Sequence, residues 1–238
     1  MRGKENKVKI LLALLFLGLI GFSNADVPEP KARRLDMVRT QIAARGVTHP
    51  ATLKAMQNVK RHLFVPANLA AAAYLDRPLP IGYGQTISQP FIVAFMTEAV
   101  RPQPDHRILE IGCGSGYQAA VLAEIVNEVY TVEIIAPLAD TAAQRLSELG
   151  YENIRVRQAD GYHGWPKAAP FDAIVVTAAT EFIPPPLIEQ LKDGGRMIIP
   201  VGSPLRTQQL MLIEKKKQKI ISRNLMPVRF VPFTRSGS

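Results

Sequence analysis

Apolar and polar positions along the chain follow two rhythms, and the change between them falls near residue 107. Before it, apolar residues recur at helical spacing. Leu35, Val38, Ile42 and Ala43 predict a helix over Leu35–Arg45, and Leu53 with Met56 predicts another over Pro50–Val59. Ala67–Tyr74 is a third helical stretch. Pro78–Pro90, punctuated by glycine and proline, reads as a loop, and Phe91–Val100 resumes the helical spacing. From Arg107 onward, short apolar runs predict strands at Arg107–Ile111, Glu128–Glu133, Asn153–Gln158, Asp172–Thr177 and Gly195–Val201. Helical stretches at Tyr117–Val126, Pro137–Leu149 and Pro186–Lys192 are interspersed with them. This alternation predicts an α/β fold, Rossmann-like and doubly wound, with a mostly parallel sheet covered on both faces. N-terminal helices precede it, and Gln208–Glu214 with Gln218–Phe233 predict a C-terminal antiparallel return.

The amino terminus has a different pattern. Met1–Lys9 is basic, Ile10–Phe22 is thirteen apolar or glycine residues, and Ser23-Asn24-Ala25 offers a small-x-small cleavage site. The apolar run is short for a spanning helix, which needs about 20 residues, so no stable membrane span is expected. The expected division is a signal-like leader at 1–25, a linker at 26–34 with two prolines, and a single domain at 35–238. The leader points to export into the periplasm. The cofactor argued for below points to the cytoplasm, where it is made, with the leader then a mis-assigned start ahead of Met37.

Composition narrows the picture by exclusion. With 47% hydrophobic residues in 238, the chain can bury a sizeable core. The one cysteine, Cys113, excludes an internal disulfide and a cysteine-rich zinc site. His49, His62, His106 and His163 lack metal-ligand spacing, so no metal is expected. Removing the leader, which holds Arg2, Lys4, Lys7 and Lys9 against Glu5, lowers the net charge from +9 to +6. What remains is dispersed apart from Arg33–Arg34 and the run Lys215–Lys217 with Lys219, read as a solvated strand end or hairpin. No basic stripe interleaved with aromatics appears, so no nucleic-acid partner is expected, and a monomer is.

The chemistry is concentrated in Ile108-Leu109-Glu110-Ile111-Gly112-Cys113-Gly114-Ser115-Gly116-Tyr117, at a strand-to-helix junction. Gly112, Gly114 and Gly116 let the backbone turn tightly and let a ligand approach it. The last glycine of a dinucleotide fingerprint is replaced by Tyr117. Glu110, just before the loop, repels a pyrophosphate and suits an ammonium group. Glu133 ends the next strand, where a carboxylate can accept both hydroxyls of a ribose. Asp160–Gly161 ends the third, placed to accept from an adenine amino group. Alone, Glu133 or Asp160 is more simply a loop carboxylate or a helix cap. Together, ammonium, ribose and adenine in sequence describe S-adenosylmethionine. Gly114-Ser115-Gly116 lacks the spacing of a nucleophile elbow, and Cys113 inside the turn reads as a small filler.

Gly84-Gln85-Thr86-Ile87-Ser88-Gln89-Pro90 makes the pattern more specific. With Ile108–Tyr117, Phe171–Ala179, Gly194-Gly195-Arg196, His62–Pro66 and Arg229–Pro232, the chain resembles the protein-L-isoaspartate O-methyltransferases over about Leu35 to Thr234. The resemblance implies methylation of the α-carboxyl of L-isoaspartyl residues in damaged proteins and peptides, the ester then cyclising to a succinimide. It implies that Ser88 lies beside the transferred methyl and the accepting carboxylate, with Gln85 and Thr86 at the substrate. It also implies that Glu110, Gly112, Gly114, Glu133, Asp160 and Gly161 line the cofactor, with Gly116 completing the glycine motif. Val93 stands where some members carry His, and no cofactor role is given to it. The rival readings are a methyltransferase on a small molecule or RNA, an NAD-binding oxidoreductase, and a non-catalytic domain with the same fold. S-adenosylhomocysteine against NADH, and an isoaspartyl peptide against its aspartyl twin, separate them.

Overall fold

The computed structural model describes residues 29–203 and 206–236, so the leader lies outside the described residues. The chain enters through α1 (Pro30–Met37), with proline in the first turn where a missing N–H costs nothing. It continues through a π-type turn at Val38–Ile42 and a 3₁₀ turn at Ala43–Arg45, and Gly46 at φ 94° ends it. The helix thus starts five residues before its apolar signal, and Pro30–Arg34, expected as linker, is helical. The sequence pattern hid this because the buried residue there is Arg34, whose guanidinium bonds the Gln57 carbonyl and the Tyr74 hydroxyl.

Helix α2 (Pro50–Asn58) follows as expected, whereas Ala67–Ala72 forms 3₁₀ turns rather than an α-helix. The expected loop at Pro78–Pro90 contains a hairpin, β1 (Leu79–Gly82) against β2 (Gln85–Ile87). Strands of three or four residues bounded by prolines leave too little periodicity to read. Helix α3 (Pro90–Ala99) leads from it to the sheet.

The sheet is built from β3 (Arg107–Ile111), β4 (Glu128–Glu133), β5 (Ile154–Gln158), β6 (Phe171–Val176), β7 (Leu191–Val201), β8 (Gln208–Lys216) and β9 (Lys219–Val228). Its order is β5-β4-β3-β6-β7-β8-β9. The first five strands are parallel; β8 and β9 are antiparallel to their neighbours. Helices α4 (Tyr117–Ala123), α5 (Ala136–Glu148) and α6 (Pro185–Gln190) connect parallel strands.

Period-two alternation sends Ile108, Val129, Ala173, Val175 and Ile198 to the face packed by the N-terminal helices. It sends Leu109, Ile111, Val132, Ile174, Val176, Met197 and Ile199 to the face packed by Leu187 and Leu191. Both faces are buried, which is why these strands read as continuous apolar runs. Strand β7 begins at Leu191, not Gly195, with a register irregularity where it passes Gly194–Gly195. The lysine run falls at the β8–β9 hairpin, as expected, although Lys215 Nζ also donates to the carbonyls of Ile188 and Leu191. Strand β9 stops at Val228 rather than Phe233, and the chain beyond it turns back over the carboxyl ends of the strands.

Candidate active site

Strand order reverses between β3 and β6, and a crevice opens there, where ligands bind in open α/β sheets. The glycine loop after β3 forms its floor. Gly112 has φ 96°, and a Cβ there would stand 2.4 Å from Thr177 Oγ1. That hydroxyl donates to the carbonyls of Ile111 (3.0 Å) and Gly112 (2.7 Å), tying the end of β6 to the loop. Only glycine meets both conditions. Thr177 borders every part of the crevice; the sequence shows it as a strand end within the run Phe171–Ala179 and gives it no site role.

Glu110 is fully buried on β3. The Thr131 hydroxyl donates to its Oε2, while among the described residues Oε1 has no hydrogen-bond partner. Burial pushes its pKa up to about 8; the Thr131 bond opposes this and the nearby Glu133 adds to it. An unpaired buried acceptor is costly, and an ammonium beside it would satisfy it. Glu133, 5% exposed at the end of β4, is oriented by two backbone amides: Gly114 N (2.8 Å) to Oε2 and Ile135 N (2.9 Å) to Oε1.

The inner cleft is lined by Gly112, Gly114, Glu133, Ile134, Ile135, Gly161 and Val231–Thr234. Glu110 borders the adjoining space with Ser88, Val93, Cys113 and Gly114. Cys113 is buried there, and its thiol is pushed well up by burial, so it supplies no thiolate. An outer cleft of about 500 Å³ is lined by Ser88, Gln89, Ile92, Arg45 and the segment Met226–Val231. Ser88 borders both this cleft and the space at Glu110; Thr86 borders all three. Among the described residues the Ser88 hydroxyl has no hydrogen-bond partner.

Three expected site residues are placed otherwise. Gly116 lies off the cleft: a Cβ there would stand 3.2 Å from Leu146, so its glycine serves the close packing of α4 and α5. Gln85 lines the inner cleft beside Glu133 rather than the outer one, and its amide donates to the Tyr83 carbonyl at 3.4 Å. Asp160 does not border the cleft, although Gly161 does. Its Oδ1 accepts from Tyr162 N (3.0 Å), its Oδ2 from Arg235 Nε (2.9 Å) and Ser236 N (3.2 Å). Burial works to raise the Asp160 pKa, but the Arg235 bond and the two amides outweigh it, so the carboxyl stays below its ordinary value.

Fold and site together define a methyltransferase of the S-adenosylmethionine-dependent class. The family model described as protein-L-isoaspartate(D-aspartate) O-methyltransferase matches residues 32–238. The chain belongs to this family, whose activity is S-adenosylmethionine-dependent methylation of isoaspartyl residues. A protein-L-isoaspartate O-methyltransferase of Opitutus terrae is 56% identical over 226 residues, covering 94% of this chain and 96% of that protein. Protein-L-isoaspartate O-methyltransferase 2 of a Polaromonas species is 60% identical over 180 residues, 75% of this chain and 85% of the relative. A solved protein-L-isoaspartate O-methyltransferase superposes with a TM-score of 0.76 at 29% identity, over 85% of this chain and 65% of the other. A Plasmodium falciparum structure of a protein-L-isoaspartate O-methyltransferase-like chain in complex with S-adenosyl-L-homocysteine shares the fold with a TM-score of 0.73 at 24% identity, over 84% of this chain and 98% of the other. The oxidoreductase and non-catalytic readings fall away.

Proposed function

We propose that Glu110 receives the ammonium of S-adenosylmethionine, Glu133 its ribose hydroxyls, and Gly161 with Val231–Thr234 its adenine. Gly112 and Gly114 permit close backbone approach. On this reading Ser88 holds one oxygen of the substrate's α-carboxylate, while the outer cleft takes the flanking peptide. The observation that carries this is the place of Ser88, at the junction of the outer cleft with the space around Glu110. When bound, S-adenosylmethionine supplies an electrophilic methyl on a sulfonium. The chain's residues then have only to position the acceptor and keep water away. A carboxylate of pKa about 3.5–4 is already ionised at neutral pH and needs no base. The resulting ester cyclises to a succinimide, whose hydrolysis returns part of the population to normal linkage.

Ser88→Ala is expected to cut methyl transfer to an isoaspartyl peptide by roughly ten-fold or more, with cofactor affinity nearly unchanged. Wild-type turnover in that variant would remove Ser88 from the mechanism.

Glu110 supplies a pH signature. Below about pH 8 its carboxyl holds a proton, and an ammonium partner favours the ionised form, so binding releases that proton. Affinity for S-adenosylhomocysteine should rise with pH, by about ten-fold from pH 6 to pH 7, and level off near 8. Calorimetry in buffers of different ionisation enthalpy reads the proton directly. Uptake or no change would place the ammonium elsewhere.

The partners proposed are isoaspartyl proteins and peptides, met by a monomer with no nucleic acid bound. Among the described residues no helix is long and apolar enough to cross a membrane. The compartment proposed is the cytoplasm, where the cofactor is made, and cell fractionation with sequencing of the mature amino terminus decides between it and export through 1–25.

A further inference from the structure

The amino-acid end of the cofactor asks more of the site than Glu110 alone supplies. An ammonium carries three N–H donors. Glu110 Oε2 already accepts from Thr131, which leaves Oε1 as its unengaged oxygen among the described residues. Further acceptors have to come from the other groups that border this space. Thr177 directs its hydroxyl at the carbonyls of Ile111 and Gly112, and the Tyr117 hydroxyl lies against Met56 Sδ at 3.9 Å. Val93 borders the space from α3 with an apolar side chain.

Gln118 borders the same space from the first turn of α4 and is 7% exposed. Its amide is not free to flip. Nε2 donates to Thr97 Oγ1 at 2.9 Å, and that hydroxyl donates to the Val93 carbonyl at 2.8 Å. A hydroxyl has one proton. With that proton engaged on Val93, Thr97 Oγ1 can only accept from Gln118, so the amide nitrogen faces Thr97 and Oε1 is the outer atom. Among the described residues Oε1 accepts no hydrogen bond. Thr97 is fully buried, so the relay holds this acceptor in place before any ligand arrives, and little ordering is left to be done on binding.

We propose that Gln118 is a specificity-determining residue for the cofactor: its Oε1 accepts a second N–H of the ammonium that Glu110 receives, with Thr97 and the Val93 carbonyl fixing the amide. The proposal rests on the ammonium reading of Glu110 above. The two acceptors differ in kind. Glu110 supplies charge and titrates, whereas an amide oxygen stays an acceptor across the neutral range. Together they select ligands with an α-amino group. A Gln118 that only packed α4 against α3 would affect every ligand of the cleft alike; a contact to the ammonium is felt only by ligands that carry one.

Calorimetry on the full chain with three ligands tests this. S-adenosylhomocysteine has both ammonium and carboxylate, the adenosyl thioether of γ-mercaptobutyrate lacks only the amino group, and methylthioadenosine lacks both. Gln118→Leu keeps the bulk and removes the amide. It should weaken S-adenosylhomocysteine by about ten-fold or more and leave the other two within about two-fold of wild type. Thr97→Val frees the amide without touching the cofactor, and should weaken S-adenosylhomocysteine by about three-fold with the same selectivity. Unchanged S-adenosylhomocysteine affinity in Gln118→Leu would overturn the proposal. So would an equal loss for all three ligands, which makes Gln118 a packing residue, or a loss shared by the two carboxylate ligands alone, which places the contact on the carboxylate. The wild type separates this proposal from the reading beneath it. S-adenosylhomocysteine binding no tighter than the deamino thioether sinks the ammonium assignment to Glu110, whereas a wild-type preference left intact by Gln118→Leu sinks Gln118 alone.

Discussion

Replacing Glu133 by alanine should weaken S-adenosylhomocysteine binding by about 1.5–3 kcal/mol, roughly 10- to 150-fold in Kd. Two losses combine. The ribose hydroxyls lose a charged acceptor, and the amides of Gly114 and Ile135 lose the oxygens that fix the loops on either side of the cleft. Because Glu133 is buried, the alanine variant should also melt at a lower temperature. Glu133→Gln separates the two losses. It keeps the shape and one acceptor oxygen, so it should recover much of the melting temperature, while affinity stays reduced for want of the charge. Calorimetry showing unchanged affinity in the alanine variant would mean that Glu133 only shapes the loop.

The parts of the site legible in the sequence share a cause. Glu110 and Glu133 fall at the last or next-to-last position of strands whose apolar residues are buried on both faces, so a carboxylate there stands out from the run. Gly112 was legible because a tight turn between strand and helix demands glycine, and the close approach of Thr177 supplies a second reason. What stayed hidden depends on contacts far apart in sequence. The segment beyond β9 is an example: Val231–Phe233 read as strand, and nothing local shows that the chain leaves β9 to cross Ala179 and Gly161.

The same holds for buried charge. Arg61 is fully buried, donates to the Ala73 carbonyl at 2.7 Å, and stands 5.0 Å from the centre of the Tyr117 ring, yet a charged residue carries no apolar signal. Burial lowers its pKa to about 10, so it remains a cation at neutral pH. Asp160 follows a strand end, as its sequence position suggests, but its bond to Arg235 is not legible there because the two lie 75 residues apart. Gln85 and Ser88 sit three residues apart in what read as one loop. The β1–β2 hairpin sends Gln85 to the inner cleft and Ser88 to the junction with the outer one.

The central claim is methyl transfer to an isoaspartyl α-carboxylate, selected by geometry and needing no base. Aspartyl and isoaspartyl peptides carry the same charge and nearly the same atoms, so discrimination must come from where the carboxylate is held relative to the methyl. A misplacement of about 1 Å can cost 10²-fold in rate, so strong preference needs no large difference in binding. The measurement is steady-state kinetics on a matched isoaspartyl and aspartyl peptide pair across about pH 6 to 8, with cofactor saturating at each pH because Glu110 is expected to make its affinity pH-dependent. The account predicts turnover of the isoaspartyl peptide at least about 10²-fold faster, and a kcat that stays within a few-fold over that range. Equal turnover of the two peptides would contradict it, as would a kcat rising steeply through pH 7.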